Sequence, residues 1–104
     1  MKTNDFMNAN LTDIKIMIKS LNNEFDSHDF IMAFAKEFEP QYVYLLNLHK
    51  KNAHRILHAQ ISLYLSKNKD YFEIDKNGKV ISNTVFGFNN PNELWSKINV
   101  HLYS

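Results

Sequence analysis

Along the first half of the chain, apolar residues recur at helical spacing. Leu11, Ile14, Ile18, Leu21 and Phe25 follow one another at intervals of three, four, three and four, which predicts a seam-like amphipathic helix over residues 11 to 25 with Asn10 or Thr12 as its cap. The pair Asn22 and Asn23 weakens its end. Residues 1 to 9 show no comparable period and read as a flexible, frayed start. A second helix is expected from the Asp26-Ser27 cap, burying Phe30, Ile31, Phe34 and Phe38, with Asp29 in the first turn complementing the helix dipole. Pro40 closes that helix and suits the first turn of a third, roughly residues 40 to 49, because the ring presets φ and its missing N–H is not needed there. Val43, Leu46 and one or both of Tyr42 and Leu45 are expected to face the core.

A fourth helix is expected over residues 53 to 66, capped by Asn52. Its polar face collects Lys51, His54, Arg55, His58 and Ser62, while Ile56, Leu57, Ile61 and Tyr64 fall on the other side. From Tyr71 the period changes to two: Phe72 and Ile74 alternate with Glu73 and Asp75, and the stretch from Val80 to Phe86 is rich in β-branched residues. Between these runs stands Asn77-Gly78, a dipeptide suited to a type I′ turn because both positions take positive φ. The reading is a hairpin with its tip at residues 76 to 79. Asn90-Pro91 then offers a cap and first residue for a short last helix that buries Leu94, Trp95 and Ile98.

Composition narrows the class. With 104 residues, 44% hydrophobic and 13% aromatic, the chain has apolar material for one core, so residues 10 to 104 are read as a single domain. The absence of cysteine removes disulfides, thiolate zinc sites and cysteine nucleophiles together, and fits a reducing compartment such as the cytoplasm. No run approaches the ~20 apolar residues of a membrane span, so no membrane partner is expected. Only two glycines are present, which leaves no Gly-rich phosphate loop, and no serine stands in a nucleophile-elbow pattern. Enzymatic function is not expected.

The formal charge of +1 is unevenly placed. Residues 22 to 41 carry Glu24, Asp26, Asp29, Glu37 and Glu39 against the single base Lys36, whereas residues 50 to 69 hold five basic residues and no acid. His54 and His58 are four apart on one helical face, a spacing two metal ligands use, but the stretch lacks the glutamate of the zincin pattern. No metal and no cofactor are expected. The aromatic stripe of Phe30, Phe34 and Phe38 reads as core.

Several helices, a basic helix after a tight link and then a two-stranded antiparallel hairpin resemble the winged-helix branch of the helix-turn-helix superfamily over roughly residues 26 to 88. The resemblance implies a mostly α fold (α+β) of four to five helices plus a two-stranded wing. It also implies DNA as partner, read in the major groove by helix 53 to 66, with the hairpin tip on the adjacent backbone. Arg55 is then the base reader, because a guanidinium bonds guanine O6 and N7 together. His54, His58 and Ser62 supply shorter contacts. Lys50, Lys51, Lys76 and Lys79 neutralise phosphates, and Asn52 with its helix N-terminus meets one more. A homodimer through helix 11 to 25 would double the contacts. The competing reading is a protein-interaction module on the same fold, using the acidic helix 28 to 38, the Lys-rich helix or the 11 to 25 seam.

Overall fold

The computed structural model describes residues 2–83 and 89–98. Six helices and three strands follow in the order α1 (Thr3–Ala9), α2 (Leu11–Ser20), β1 (Glu24–Asp26), α3 (Ser27–Glu37), α4 (Glu39–Leu46), α5 (Ala53–Lys67), α6 (Lys69–Phe72), β2 (Ile74–Asn83) and β3 (Asn89–Lys97). The class is α+β, and one cluster of buried side chains draws on all nine elements.

The start of the chain, read as a segment without helical period, forms helix α1. Phe6 and Met7 of α1 are buried, and Phe6 meets Phe34 and Phe38 edge-on at 5.8 and 5.5 Å between ring centres. Two apolar residues are too few to register as a period, but they suffice once a phenylalanine cluster receives them. The expected helix over residues 11 to 25 is also shorter. It ends at Ser20, and Phe25 reaches the core from β1 instead. Lys97 fastens this end, its Nζ donating to the carbonyls of Lys19 and Leu21, where a cation meets the negative end of the helix. Ile14 and Ile18 are fully covered by the domain itself. The apolar stripe proposed for a homodimer is therefore spent on the core.

The Asp26 cap forms as expected, with a reciprocal partner. Its carboxylate accepts from the Asp29 N–H at 2.7 Å, and the Asp29 carboxylate accepts from the Asp26 N–H at 3.1 Å, a capping box that satisfies two backbone donors. Phe30, Ile31 and Phe34 are buried along α3. Pro40 stands in the first turn of α4. On that helix Tyr42 and Leu45 are the buried pair and Leu46 is partly covered, whereas Val43, expected inside, is 49% exposed. The helix is eight residues long, and only the face at positions 42 and 45 meets α3 and α5.

The largest departures lie after α5. Tyr71 and Phe72 belong to the short helix α6, and the left-handed Glu73 (φ +56°) turns the chain into β2. Asn77-Gly78 does not close the hairpin. β2 runs through it, and the pairing with β3 slips between Lys76, opposite Trp95, and Lys79, opposite Glu93. The positive φ of Gly78 (+92°) thus serves a bulge, the other use of glycine in a strand. Asn77 Nδ2 donates to Ser96 Oγ at 2.9 Å and to Glu24 Oε2 at 3.3 Å, so the side chain read as a turn former ties the strands across the sheet.

The last expected helix is strand β3. It pairs antiparallel with both neighbours in the order β1-β3-β2, with Phe25 opposite Trp95 on one side and Asn83 opposite Asn89 at the far end of the other. Pro91 lies beyond the three residues that β1 pairs, Leu94 to Ser96, on a stretch with β2 as its one strand neighbour among the described residues, where a missing backbone donor is tolerated. Trp95 is buried as expected, but from the central strand, and its Nε1 donates to Ser27 Oγ at 3.0 Å. Among the described residues, no helix is long and apolar enough to cross a membrane.

Candidate nucleic-acid interface and the adjoining cleft

Helix α5 leaves a turn in which Asn52 takes the left-handed conformation (φ +53°, ψ +37°), one that asparagine tolerates better than most residues. Asn52 precedes the helix as expected, and its carbonyl accepts the first helical bond from Ile56 N–H at 3.0 Å. Its side chain makes no capping bond, because left-handed backbone is not the extended geometry from which a side chain reaches the first-turn donors. Lys50, Lys51, Asn52, His54 and Arg55 are all exposed around this end. Among the described residues, no ion pair engages Lys50, Lys51 or Arg55, while Lys69 at the far end faces Asp75 and Asp70 at 3.5 and 3.6 Å. The positive field of this segment is concentrated at the α5 N-terminus.

The inner face of α5 buries Leu57, Ile61, Tyr64 and Leu65. Ile56, expected inside, is 38% exposed, and Leu63 is 55% exposed. The outward surface of the helix is consequently mixed, basic at its start and apolar farther along.

His58 and Ser62 do not share the open surface of Arg55. They are half-buried and, together with His54, Arg55 and Ala59, line one wall of a cleft of about 550 Å3; Ser27, His28 and Ile31 of α3 and Asn92 and Glu93 of β3 form the rest. His58 Nε2 lies 2.6 Å from the Tyr42 hydroxyl, with the two rings stacked at 29°. Burial pushes the His58 imidazole down from 6.5 to about 4, with the positive charge of His54 and His28 adding to the effect. Burial also raises the Tyr42 phenol. Both groups are therefore neutral near pH 7, and the contact is a neutral hydrogen bond.

The opposite wall is held by Asn92, which had no apparent role in the sequence because it fell inside the expected last helix. Its Oδ1 accepts from the His28 N–H at 3.0 Å, and its Nδ2 donates to Val80 O at 3.1 Å and Ser82 Oγ at 3.0 Å. Ser82 Oγ is also 2.9 Å from His28 Nδ1. One amide thus joins β3, β2 and the first turn of α3, and His28 is a buried residue with its backbone N–H and Nδ1 engaged. Ser27, His28, Asn92 and Glu93 come from regions 65 or so residues apart, and no local signal marks them as neighbours of α5.

Lys76 and Lys79 are exposed as expected, but they flank the bulge in the middle of β2 and not a hairpin tip. The β2 to β3 connection falls at residues 84–88, outside the described residues. Lys79 is the register partner of Glu93, which places it beside the cleft. Among the described residues, no group of three or more His, Asp or Glu side chains is arranged to hold a metal ion. Comparisons of the chain with protein-family models, with curated proteins and with solved structures found no match.

Proposed function

We propose that the protein is a small DNA-binding domain of the winged-helix kind. The observation that carries the reading is the placement of a basic cluster, Lys50, Lys51 and Arg55, with no ion pair among the described residues, at the exposed start of α5, the helix that precedes the sheet hairpin apart from the short α6. The element order supports it as well. A short strand between α2 and α3, then α4, α5 and the short α6, then a pair of strands of which the second lies between the other two, resembles a winged helix with additional helices. In this arrangement α5 enters the major groove by its N-terminal half, Arg55 reads a base edge, and Lys50 and Lys51 neutralise phosphates. The wing is the β2-β3 hairpin, and Lys76 and Lys79 lie along its strand.

The apolar part of the outward surface, Ile56 and Leu63 on α5 with Val43, Tyr44 and Leu48 exposed nearby in sequence on and after α4, favours a second reading, a protein-interaction module. Salt separates the two. Fluorescence-anisotropy titration of a random-sequence duplex at low and near-physiological salt should show affinity falling steeply as salt rises, and weakening further in a Lys51→Ala/Arg55→Ala variant. On a preferred site, Arg55→Ala alone should cost about 1 to 3 kcal/mol and relax selection at one base pair. Absence of binding at low salt refutes the DNA reading and leaves the interaction module.

A further inference from the structure

The cleft between α3, α5 and β3 has a chemistry of its own. Its α5 wall is lined by Arg55, His54, His58 and Ser62; Ala59 and Ile31 supply an apolar surface, and Glu93 stands on β3. About 550 Å3 lies within the range of small-molecule sites, and is much more than one ion fills. We propose that this cleft binds a small phosphate monoester carrying hydroxyl groups.

The assignment follows from what each wall offers. A planar guanidinium donates two parallel hydrogen bonds to an oxyanion, and on this helix Ser62 adds a neutral donor two turns along. Glu93, opposite Lys79 in the sheet, is an acceptor that repels phosphate but accepts from sugar-type hydroxyls. Asn92 is committed to the scaffold through its three hydrogen bonds, so the wall that presents Glu93 is fixed before any ligand arrives. Tyr42 of α4, neutral and hydrogen-bonded to His58, contributes no opposing charge.

This proposal does not rest on the DNA reading, although Arg55 serves both, and the test separates them. The ring signals of His54 and His58 are followed by NMR while ribose 5-phosphate, inorganic phosphate or ribose is added to the whole protein. Ribose 5-phosphate should shift both rings saturably and bind more tightly than inorganic phosphate, with ribose alone inert. Arg55→Gln should weaken both phosphates about tenfold, the loss of one charge-assisted interaction. Glu93→Gln should erase the preference for ribose 5-phosphate while leaving or improving inorganic phosphate, and the exposed Lys67→Gln should change nothing. Because Arg55 serves both readings, a DNA duplex is expected to compete with ribose 5-phosphate, and Glu93→Gln identifies the source of the oxyanion: if that variant keeps the preference for ribose 5-phosphate over inorganic phosphate, the cleft recognises phosphate alone and the proposed small ligand is overturned. Shifts that do not saturate, or that survive Arg55→Gln unchanged, overturn the site altogether.

Discussion

Acidification should destabilise the protein through His58, and the size of the effect can be worked from its surroundings. In the unfolded chain the imidazole titrates near 6.5; in the fold, burial and the neighbouring His54 and His28 lower it to about 4. Below 6.5 the unfolded state therefore takes up a proton that the native state refuses, so stability rises with pH across this window. The contribution is fully present above 6.5, falls as the pH drops, and is exhausted below about 4. At about 1.4 kcal/mol per pH unit, the interval caps the loss at roughly 3.5 kcal/mol. Carboxylates titrate in the same region, so the measurement is a difference. Urea unfolding of wild type and of His58→Gln, which keeps a polar side chain beside Tyr42, is compared at steps between about pH 7.5 and pH 4.5. The two proteins should diverge in slope below pH 6.5, the wild type losing up to roughly 3 kcal/mol more. Parallel curves would show that His58 titrates normally in the fold and would refute the account of its burial.

Three further substitutions probe the scaffold. Ser27→Ala removes the acceptor of the buried Trp95 indole N–H and should cost about 1 to 3 kcal/mol in chemical denaturation, but little when made in a Trp95→Phe background, where no indole donor is left to orphan. Asp26→Ala dismantles the capping box of α3 and should lower stability by about 1 to 2 kcal/mol, read as a reduced urea midpoint with unchanged slope. Gly78→Ala meets no atom within 4 Å but must adopt φ near +92°, so its cost should be backbone strain alone, about 1 to 2 kcal/mol. An unaltered melting temperature in that variant would argue against the bulge.

Local chemistry was legible in the sequence wherever it was also decisive. The Asp26 cap, the Phe30 and Phe34 stripe, the first turn of α4 at Pro40 and the bounds of α5 all follow from side chains acting within a few residues of themselves. The sheet was not legible, for a physical reason. β1 is three residues long, too short to show alternation. β3 carries Leu94 and Trp95, with Ile98 just past its end, at spacings that also fit a helix, and a proline that reads as a helix start; pairing on two sides overrides that preference. Asn77-Gly78 correctly signalled positive φ, but the same conformation serves a turn and a bulge, and only the partner strand distinguishes them. The candidate site divides along the same line. Lys50, Lys51 and Arg55 were readable because they lie within six residues of one another at the start of α5, whereas Glu93 and His28 join α5 only through the fold.

The strand order sets when the protein can be completed during synthesis. β3 lies between β1 and β2, so each outer strand must wait for the last of the three to leave the ribosome before it has a neighbour to bond. Until then the nascent chain can form its helices, whose contacts are local, but it holds an unpaired β1 and a core lacking Trp95. The backbone bonds that finish the structure, Lys97 N–H to Asn23 O at 2.8 Å and Ile98 N–H to Glu73 O at 2.9 Å, include one that closes a loop spanning most of the chain, the kind of distant contact that slows folding. The sheet is therefore completed only when β3, the last of its strands in the chain, enters between the two that precede it.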